Sequence, residues 1–289
     1  MTLSPLEAGP REFTFTDDDF RNLAKLARAE FGLSLADSKK PLVYSRLARR
    51  LRARNVASFR DYMTLLAAEA EGEERLELVS ALTTNVTSFF REKHHFDSLQ
   101  SELLPQFSQQ RRVRIWSAGC SSGQEAFSTA MTLLAAFPDA ARRDMRILAT
   151  DIDPAIVRKA RAARYPLEER AAIPAALQSR WTVTRETDPG FFEMAPDVKA
   201  LVTFGELNLV EPWPFRGPFD AIFCRNVAIY FDQETQQTLW ANLARMLREG
   251  GLLFIGHSER VSGPATSDLA TAGVTTYRKR PGRDRPATN

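Results

Sequence analysis

Cysteine is nearly absent. The 289 residues hold two, Cys120 and Cys224, far apart and each inside or beside an apolar segment, which excludes a disulfide framework and favours free buried thiols. Histidine is scarce too: His94, His95 and His257 make no ligand cluster with the cysteines at a familiar spacing, so no metal is expected. No apolar run reaches membrane-spanning length, and residues 1–11 lack the basic-then-apolar pattern of a secretory signal. A cytosolic location is the expectation. Charge of one sign is also lacking, because 39 Lys and Arg stand against 36 Asp and Glu for a net charge of +3. A dedicated nucleic-acid binder shows far more.

What is present is apolar material, 44% of the chain, enough for one large domain or two modest ones. Residues 12–84 read as a small all-helical domain. Phe20, Leu23, Ala27 and Phe31 share a helical face behind the acidic start Asp17, Asp18 and Asp19. Ser58 and Asp61 form a capping box for a helix with Tyr62, Leu66 and Ala70 on one side, and Gly72 breaks the pattern before Leu76, Val79 and Leu82. Between these lies a basic helix: Arg46, Arg49, Arg50, Arg52 and Arg54 surround the apolar stripe Val43, Leu47 and Leu51. Its positive face reads either as solvated surface or as a docking face for an acidic partner, carried by Arg46, Arg49, Arg50 and Arg54.

From residue 111 the rhythm changes. Short apolar runs at 113–116, 147–150, 201–204, 219–224 and 252–255 are separated by stretches of helical periodicity, the pattern of a mainly parallel sheet covered by helices. At 180–204 the alternation is interrupted by Trp181-Thr182-Val183-Thr184, a turn at Asp188-Pro189-Gly190, and Phe191-Phe192-Glu193-Met194, which predicts an inserted antiparallel hairpin. The Arg- and Pro-rich stretch from Arg278 onward has nothing to bury, and 281–289 is expected as a disordered tail.

The first run enters Gly119-Cys120-Ser121-Ser122-Gly123-Gln124-Glu125. Small residues at a strand-to-helix turn let a ligand approach the backbone. The string fits the G-x-S-x-G elbow of hydrolases, with His257 as a base, and fits equally a nucleotide-cofactor turn. The second run ends in Asp151-Ile152-Asp153, a carboxylate at the edge of the neighbouring strand where a ribose diol can donate to it. A hydrolase has no use for that carboxylate, and the helical upstream half leaves no room for the strands that precede an elbow. The plain alternative for Asp151 is a helix cap before Pro154.

Thr83-Thr84-Asn85-Val86-Thr87-Ser88-Phe89-Phe90-Arg91-Glu92, followed by His94-His95-Phe96, closely resembles the signature of the CheR-type chemoreceptor glutamate methyltransferases. So do 149–153, 217–227 with Ile229-Tyr230-Phe231-Asp232, and Gly256-His257-Ser258-Glu259, in the family's order from Asp17 to Tyr277. The resemblance implies an α/β fold: a Rossmann-like S-adenosylmethionine-dependent methyltransferase domain at 111–280 with a small inserted antiparallel β-subdomain at about 180–204, joined through a linker helix region at 85–110 to the helical domain. It implies cofactor contacts at Asn85, Thr87, Arg91, Glu125, Asp151, Asn208, Leu209, Arg225 and Asn226, and substrate-directed roles for Arg91 and Tyr230. It also implies S-adenosylhomocysteine as the coproduct, and the cytoplasmic methylation helices of chemoreceptors as partners, met at receptor arrays through protein contacts without membrane insertion. Gln124-Glu125-Ala126-Phe127 departs from the Glu-Glu-Pro-Tyr of many members while keeping Glu125. Family members tethered by a receptor's C-terminal peptide carry a longer, glycine-rich loop in the β-subdomain. Here the compact 185–190 turn predicts weak or no tethering.

Elementary chemistry agrees. The cofactor's methionine end carries an ammonium and a sulfonium, so Glu125 suits the ammonium and Asp151 the ribose. A carboxylate acceptor is ionised at neutral pH and needs no general base, and Arg91 and Tyr230 offer a donor fork and a hydroxyl to orient it. Tyr230 could instead be a core aromatic beside Phe231. Two other functions compete. A nucleic-acid methyltransferase would use the basic helix, but Val227-Ala228-Ile229-Tyr230 follows Asn226 in place of the Asn-Pro-Pro-aromatic turn of amino-methylating DNA enzymes. An inactive cofactor-binding regulator is opposed by the joint presence of Arg91, Asp151, Arg225, Asn226 and Tyr230.

Overall fold

The computed structural model describes residues 12–68, 72–107 and 112–282, in two compact units, Met1–Thr84 and Asn85–Asn289. Ala70 and residues 283–289 lie outside the described residues.

The first unit is helical: α1 (Asp17–Phe31), α2 (Lys40–Ala53), α3 (Phe59–Ala68) and α4 (Glu73–Leu82). Thr16 caps α1 by accepting from the Asp19 N–H at 3.1 Å while Asp19 accepts from the Thr16 N–H at 2.8 Å, and Gly32 ends the helix at φ 70°. Val43, Leu47 and Leu51 of α2 are buried, as are Tyr62 and Leu66 of α3. On α4 the buried face is Glu74, Leu78, Val79 and Leu82, while Leu76 is half-buried. A glutamate thus replaces the expected leucine, and it is tolerated because it is fully satisfied. Arg50 donates to it twice, at 2.9 and 2.6 Å, and the Tyr62 hydroxyl once, at 2.7 Å. Burial pushes Glu74 up, but these three hydrogen bonds together hold it below the usual carboxylate value.

The second unit begins with a helical stretch containing α5 (His94–Ser98) and α6 (Leu104–Phe107) and continues as alternating strands and helices. The strands are β1 (Arg112–Ala118), β2 (Asp144–Asp151), β3 (Arg164–Pro166), β4 (Thr182–Arg185), β5 (Asp188–Met194), β6 (Val202–Glu206), β7 (Phe219–Cys224), β8 (Leu247–Ile255), β9 (Leu269–Gly273) and β10 (Thr276–Lys279). The helices are α7 (Gln124–Ala136), α8 (Pro154–Ala162), α9 (Ala175–Trp181), α10 (Pro196–Ala200) and α11 (Gln233–Met246). Seven strands form one sheet in the order β6-β2-β1-β7-β8-β10-β9. All neighbours from β6 to β8 are parallel, and β10 is antiparallel to β8 and β9. All five expected apolar runs are strands of this sheet. β7 is buried at every position, as a strand covered on both faces must be. Chain order reverses between β1 and β7, which opens a crevice at their carboxyl ends where such folds bind ligands.

The C-terminal strands were not expected. Arg278 and Lys279, assigned by composition to the tail, belong to β10, where Arg278 pairs with Leu252 of β8 and donates to the Gly250 carbonyl at 3.0 Å. The insert also differs, since it is a three-stranded sheet in the order β3-β5-β4. Its first strand lies before residue 180 because Tyr165 anchors it: the ring packs edge-on against Phe89 at 5.0 Å and the hydroxyl donates to the Ser122 carbonyl at 2.7 Å. A three-residue strand is too short to show a period.

Candidate active site

The turn after β1 is shaped by packing. Gly119 and Gly123 adopt φ 84° and 94°, and a Cβ on Gly119 would stand 2.3 Å from a methyl of Val227. A side chain there would displace the segment after β7, so the glycine is required by close approach as well as by its left-handed backbone. The Gly119 and Cys120 N–H groups donate to the Thr150 carbonyl at 2.8 and 2.9 Å, tying the turn to the end of β2.

There stands Asp151, buried, accepting from the Ser121 N–H at 2.8 Å and the Asp153 N–H at 3.2 Å. The cap of α8 is Asp153, which accepts from Ala155 and Ile156. Asp151 is therefore not spent on the helix. Burial raises its pKa despite the N–H bonds it accepts. The Asp151 carbonyl accepts from the Leu207 N–H at 2.9 Å, setting the start of the segment with Asn208 and the buried Leu209, whose carbonyl accepts from the Trp213 indole at 3.3 Å. Asn85 reaches the same corner: its amide donates to Asp153 at 3.3 Å and its carbonyl accepts from the Ser121 hydroxyl at 3.0 Å. Thr87, half-buried, follows in the same segment.

A second cluster surrounds Arg225 at the end of β7. Its guanidinium lies 3.1 Å from Glu125 and 3.3 Å from Glu92, and donates to the Arg91 carbonyl at 2.5 Å. Glu125 also accepts from the Ser117 hydroxyl at 2.6 Å. Burial raises Glu125 in spite of Arg225. It also pushes Glu92 up, but Arg225, His257 and His95 outweigh it and hold Glu92 below the usual value. His95, fully buried, is pushed down to about 3 by desolvation and by Arg225, so it is a neutral imidazole, 2.8 Å from the Thr275 hydroxyl. Glu92, His94 and His95 place ligand atoms within 4.8 Å of one another. The Arg225 cation already occupies that carboxylate, which suits an ion-pair network better than a metal.

The segment after Arg225 turns sharply at Asn226, φ 60°, and leads through a short 3-10 turn, Ala228–Tyr230, to Tyr230. Its backbone is held by Glu259, which accepts from the N–H groups of Asn226, Val227 and Ile229. The Arg91 side chain, half-buried, donates to the Val86 carbonyl at 3.0 Å. Arg225 thus ties the Arg91 backbone, Glu92 and Glu125 to the end of β7, and Glu259 holds the segment that follows. Sequence reasoning missed Glu92 and Glu259; each sits inside a quoted motif, and that was the available signal. The hydrolase reading finds no support, because the Ser121 hydroxyl is committed to Asn85 and His257 lies 3.2 Å from Glu92.

In the helical unit the proposed docking arginines divide. Arg46 donates to the carbonyls of Ala81, Leu82 and Thr83 at 3.0–3.2 Å, closing the C-terminal end of α4. Arg50 is bound to Glu74, with Arg54 3.5 Å from the same carboxylate. Arg49 is exposed.

A parallel sheet reversed at its centre, with an antiparallel final pair, a glycine turn after β1 and a buried carboxylate ending β2, is a doubly wound α/β fold of the kind that binds a nucleotide cofactor. Two family models match: "CheR methyltransferase, all-alpha domain" over residues 18–83 and "CheR methyltransferase, SAM binding domain" over 85–278. The chain is 46% identical to a "Probable chemotaxis protein methyltransferase" of Rhizobium etli, covering 86% of this chain and 95% of that one. It is 44% identical to "Chemotaxis protein methyltransferase 2" of Pseudomonas aeruginosa (93% and 95%) and 39% identical to the "Chemotaxis protein methyltransferase" of Escherichia coli (86% and 86%). The chain belongs to the CheR methyltransferase family, and it is an S-adenosylmethionine-dependent methyltransferase. Among the described residues no helix is long and apolar enough to cross a membrane.

Proposed function

We propose that the protein transfers the methyl group of S-adenosylmethionine to glutamate side chains on the cytoplasmic methylation helices of chemoreceptors, forming glutamate 5-O-methyl esters in sensory adaptation and releasing S-adenosylhomocysteine. The donor set fits the cofactor. Asp151 is buried and Glu125 half-buried, and desolvation raises both carboxylates, which a cationic ligand and a ribose diol would favour in ionised form. When bound, the cofactor supplies an electrophilic methyl on a sulfonium. Asp151 takes the ribose and Glu125 the ammonium; Asn85, Thr87, Arg91, Asn208, Leu209, Arg225 and Asn226 complete the binding surface.

The observation that carries the acceptor is the state of the bases around Arg225. His95 is buried and neutral, His257 is paired with Glu92, and Glu92 and Glu125 share one guanidinium. That arrangement suits an acceptor ionised before it arrives. A glutamate carboxylate is such a group, with a free pKa near 4.3. Arg91 would hold one carboxylate oxygen through its donor fork and Tyr230 would fix the angle of attack, the sort of positioning that supplies about 7 to 11 kcal/mol of a barrier. On the helical unit Arg49 leads the docking face; Arg46, Arg50 and Arg54 add positive charge while holding the helices together. The enzyme works in the cytoplasm, meeting receptor arrays through protein contacts, with neither nucleic acid nor membrane insertion involved. Peptide mapping by mass spectrometry after incubation with receptor-containing membranes tests this. Added methyl groups should sit on glutamate side chains; methyl groups on lysine, on a hydroxyl or on DNA would refute it.

A further inference from the structure

Glu259 is a half-buried carboxylate on the turn after β8 that no part of the assignment above uses. Its two oxygens accept four backbone N–H groups: Gly256 at 2.6 Å, Asn226 at 2.9 Å, Val227 at 3.0 Å and Ile229 at 3.3 Å. A carboxylate has about four acceptor sites, so this one is saturated by main chain. Three of the four donors belong to the segment that carries Asn226 and Tyr230. The same segment includes a non-glycine residue in the left-handed region, Asn226 at φ 60°, a conformation that persists only where the surroundings enforce it. On its other side the Gln236 amide donates to the carbonyls of Ala228 and Phe231 at 2.9 and 3.0 Å. Gly256 leaves the space the carboxylate needs: a Cβ there would stand 2.8 Å from the Asn226 nitrogen and 2.9 Å from Glu259 itself. Val227, between the two ends, packs onto Gly119 of the cofactor turn.

We propose that Glu259 is a positioning residue for methyl transfer, setting through these backbone N–H groups where the Asn226 amide and the Tyr230 hydroxyl stand at the carboxyl edge of the sheet. The proposal rests on the roles given above to Asn226 and Tyr230. Glu259 touches neither cofactor nor acceptor. Its effect is on the path of the loop, which the four N–H groups it accepts hold in place.

The test is a double-mutant cycle of Glu259→Gln with Tyr230→Phe, read by single-turnover transfer to receptor membranes and by calorimetric affinity for S-adenosylhomocysteine. Glu259→Gln turns one acceptor oxygen into a donor facing N–H groups. It should slow transfer by on the order of 100-fold, the scale of an ångström of misplacement, while the concentration of receptor giving half-maximal rate stays within about twofold. Tyr230→Phe, slow by itself, should add little in the Glu259→Gln background. Equal slowing in both backgrounds would overturn the proposal, as would a wild-type rate for Glu259→Gln. If Tyr230→Phe alone transfers at the wild-type rate, the role given to Tyr230 fails separately; Glu259 is then judged by cofactor affinity through Asn226, and an unchanged affinity in Glu259→Gln overturns it. Should Glu259→Gln not fold, Glu259→Asp keeps the charge and withdraws the carboxylate by one methylene. The same coupling is expected of it, and additivity there would refute the idea equally.

Discussion

Arg225 and Glu125, 100 residues apart in the chain, meet at 3.1 Å, and the same guanidinium stands 3.3 Å from Glu92. The two carboxylates nevertheless shift oppositely: desolvation wins at Glu125, whose pKa is raised, and Arg225 with the His257 hydrogen bond wins at Glu92, whose pKa is lowered. The site is therefore short of positive charge on its Glu125 side. A cationic ligand placed there should pull the Glu125 pKa down and expel the proton it holds at mildly acidic pH. Calorimetry of S-adenosylmethionine binding in two buffers of different ionisation enthalpy should show net proton release just above pH 4.5 and none at pH 8. Proton uptake on binding would place the ammonium elsewhere.

Asp151 should weaken the fold it serves. Its folded pKa is raised above 3.8 by burial, so the folded state holds the proton more tightly than the unfolded one. Between those two pKa values unfolding free energy falls as pH rises, and the deficit is complete at neutral pH. Asp151→Asn keeps an oxygen for only one of the two N–H groups, Ser121 on Oδ2 or Asp153 on Oδ1, and turns a donor toward the other; whatever its melting temperature at pH 7, its stability relative to wild type should fall as pH drops toward 4. Its affinity for S-adenosylmethionine should fall about tenfold, the value of one charge-assisted hydrogen bond to a hydroxyl. An equally tight variant would remove Asp151 from the site.

The arginines of α2 should separate into two kinds. Arg50→Ala leaves Glu74, whose side chain is fully buried, without its main partner, a change expected to cost the helical unit about 3 kcal/mol. Arg49→Glu should leave the melting temperature unchanged and slow methylation of receptors. Thermal unfolding with initial rates on the two variants checks both; equal loss of stability would make Arg49 structural as well.

How far the sequence reveals this site depends on the range of the interactions. The stripe Val43, Leu47 and Leu51 is legible because helical periodicity is local, and Asp151 is legible because an apolar run points straight at it. Glu74, Glu92 and Glu259 are not. A carboxylate reads as surface, and what buries these three are an arginine 24 residues away, a guanidinium beyond β7 and backbone N–H groups 30 to 33 residues earlier. β9 and β3 escape for another reason: one residue in each, Leu269 and Tyr165, is buried, and no periodicity can be read from a single position. The arginines of α2 show the converse limit, since a charge-rich helix is legible from the sequence while the pairing of Arg50 and Arg54 with Glu74 is not.

The hairpin of the insert closes through Glu186 and Thr187 alone, with Arg185 paired to Asp188, which leaves little loop for a receptor tail to engage as an added strand at the edge of β4. A C-terminal receptor peptide should not bind at micromolar concentration by fluorescence anisotropy. Micromolar affinity would show that tethering needs no longer loop.

The proposed reaction is the esterification of glutamate, with Arg91 presenting the acceptor. Incubating the enzyme with methyl-labelled S-adenosylmethionine and receptor membranes, then treating the protein fraction with mild alkali, tests it in one step. The label should leave as methanol, and the signal should be strongly reduced for Arg91→Lys, which keeps the charge and loses the planar fork. Label that withstands alkali, or an Arg91→Lys enzyme as fast as wild type, would contradict it.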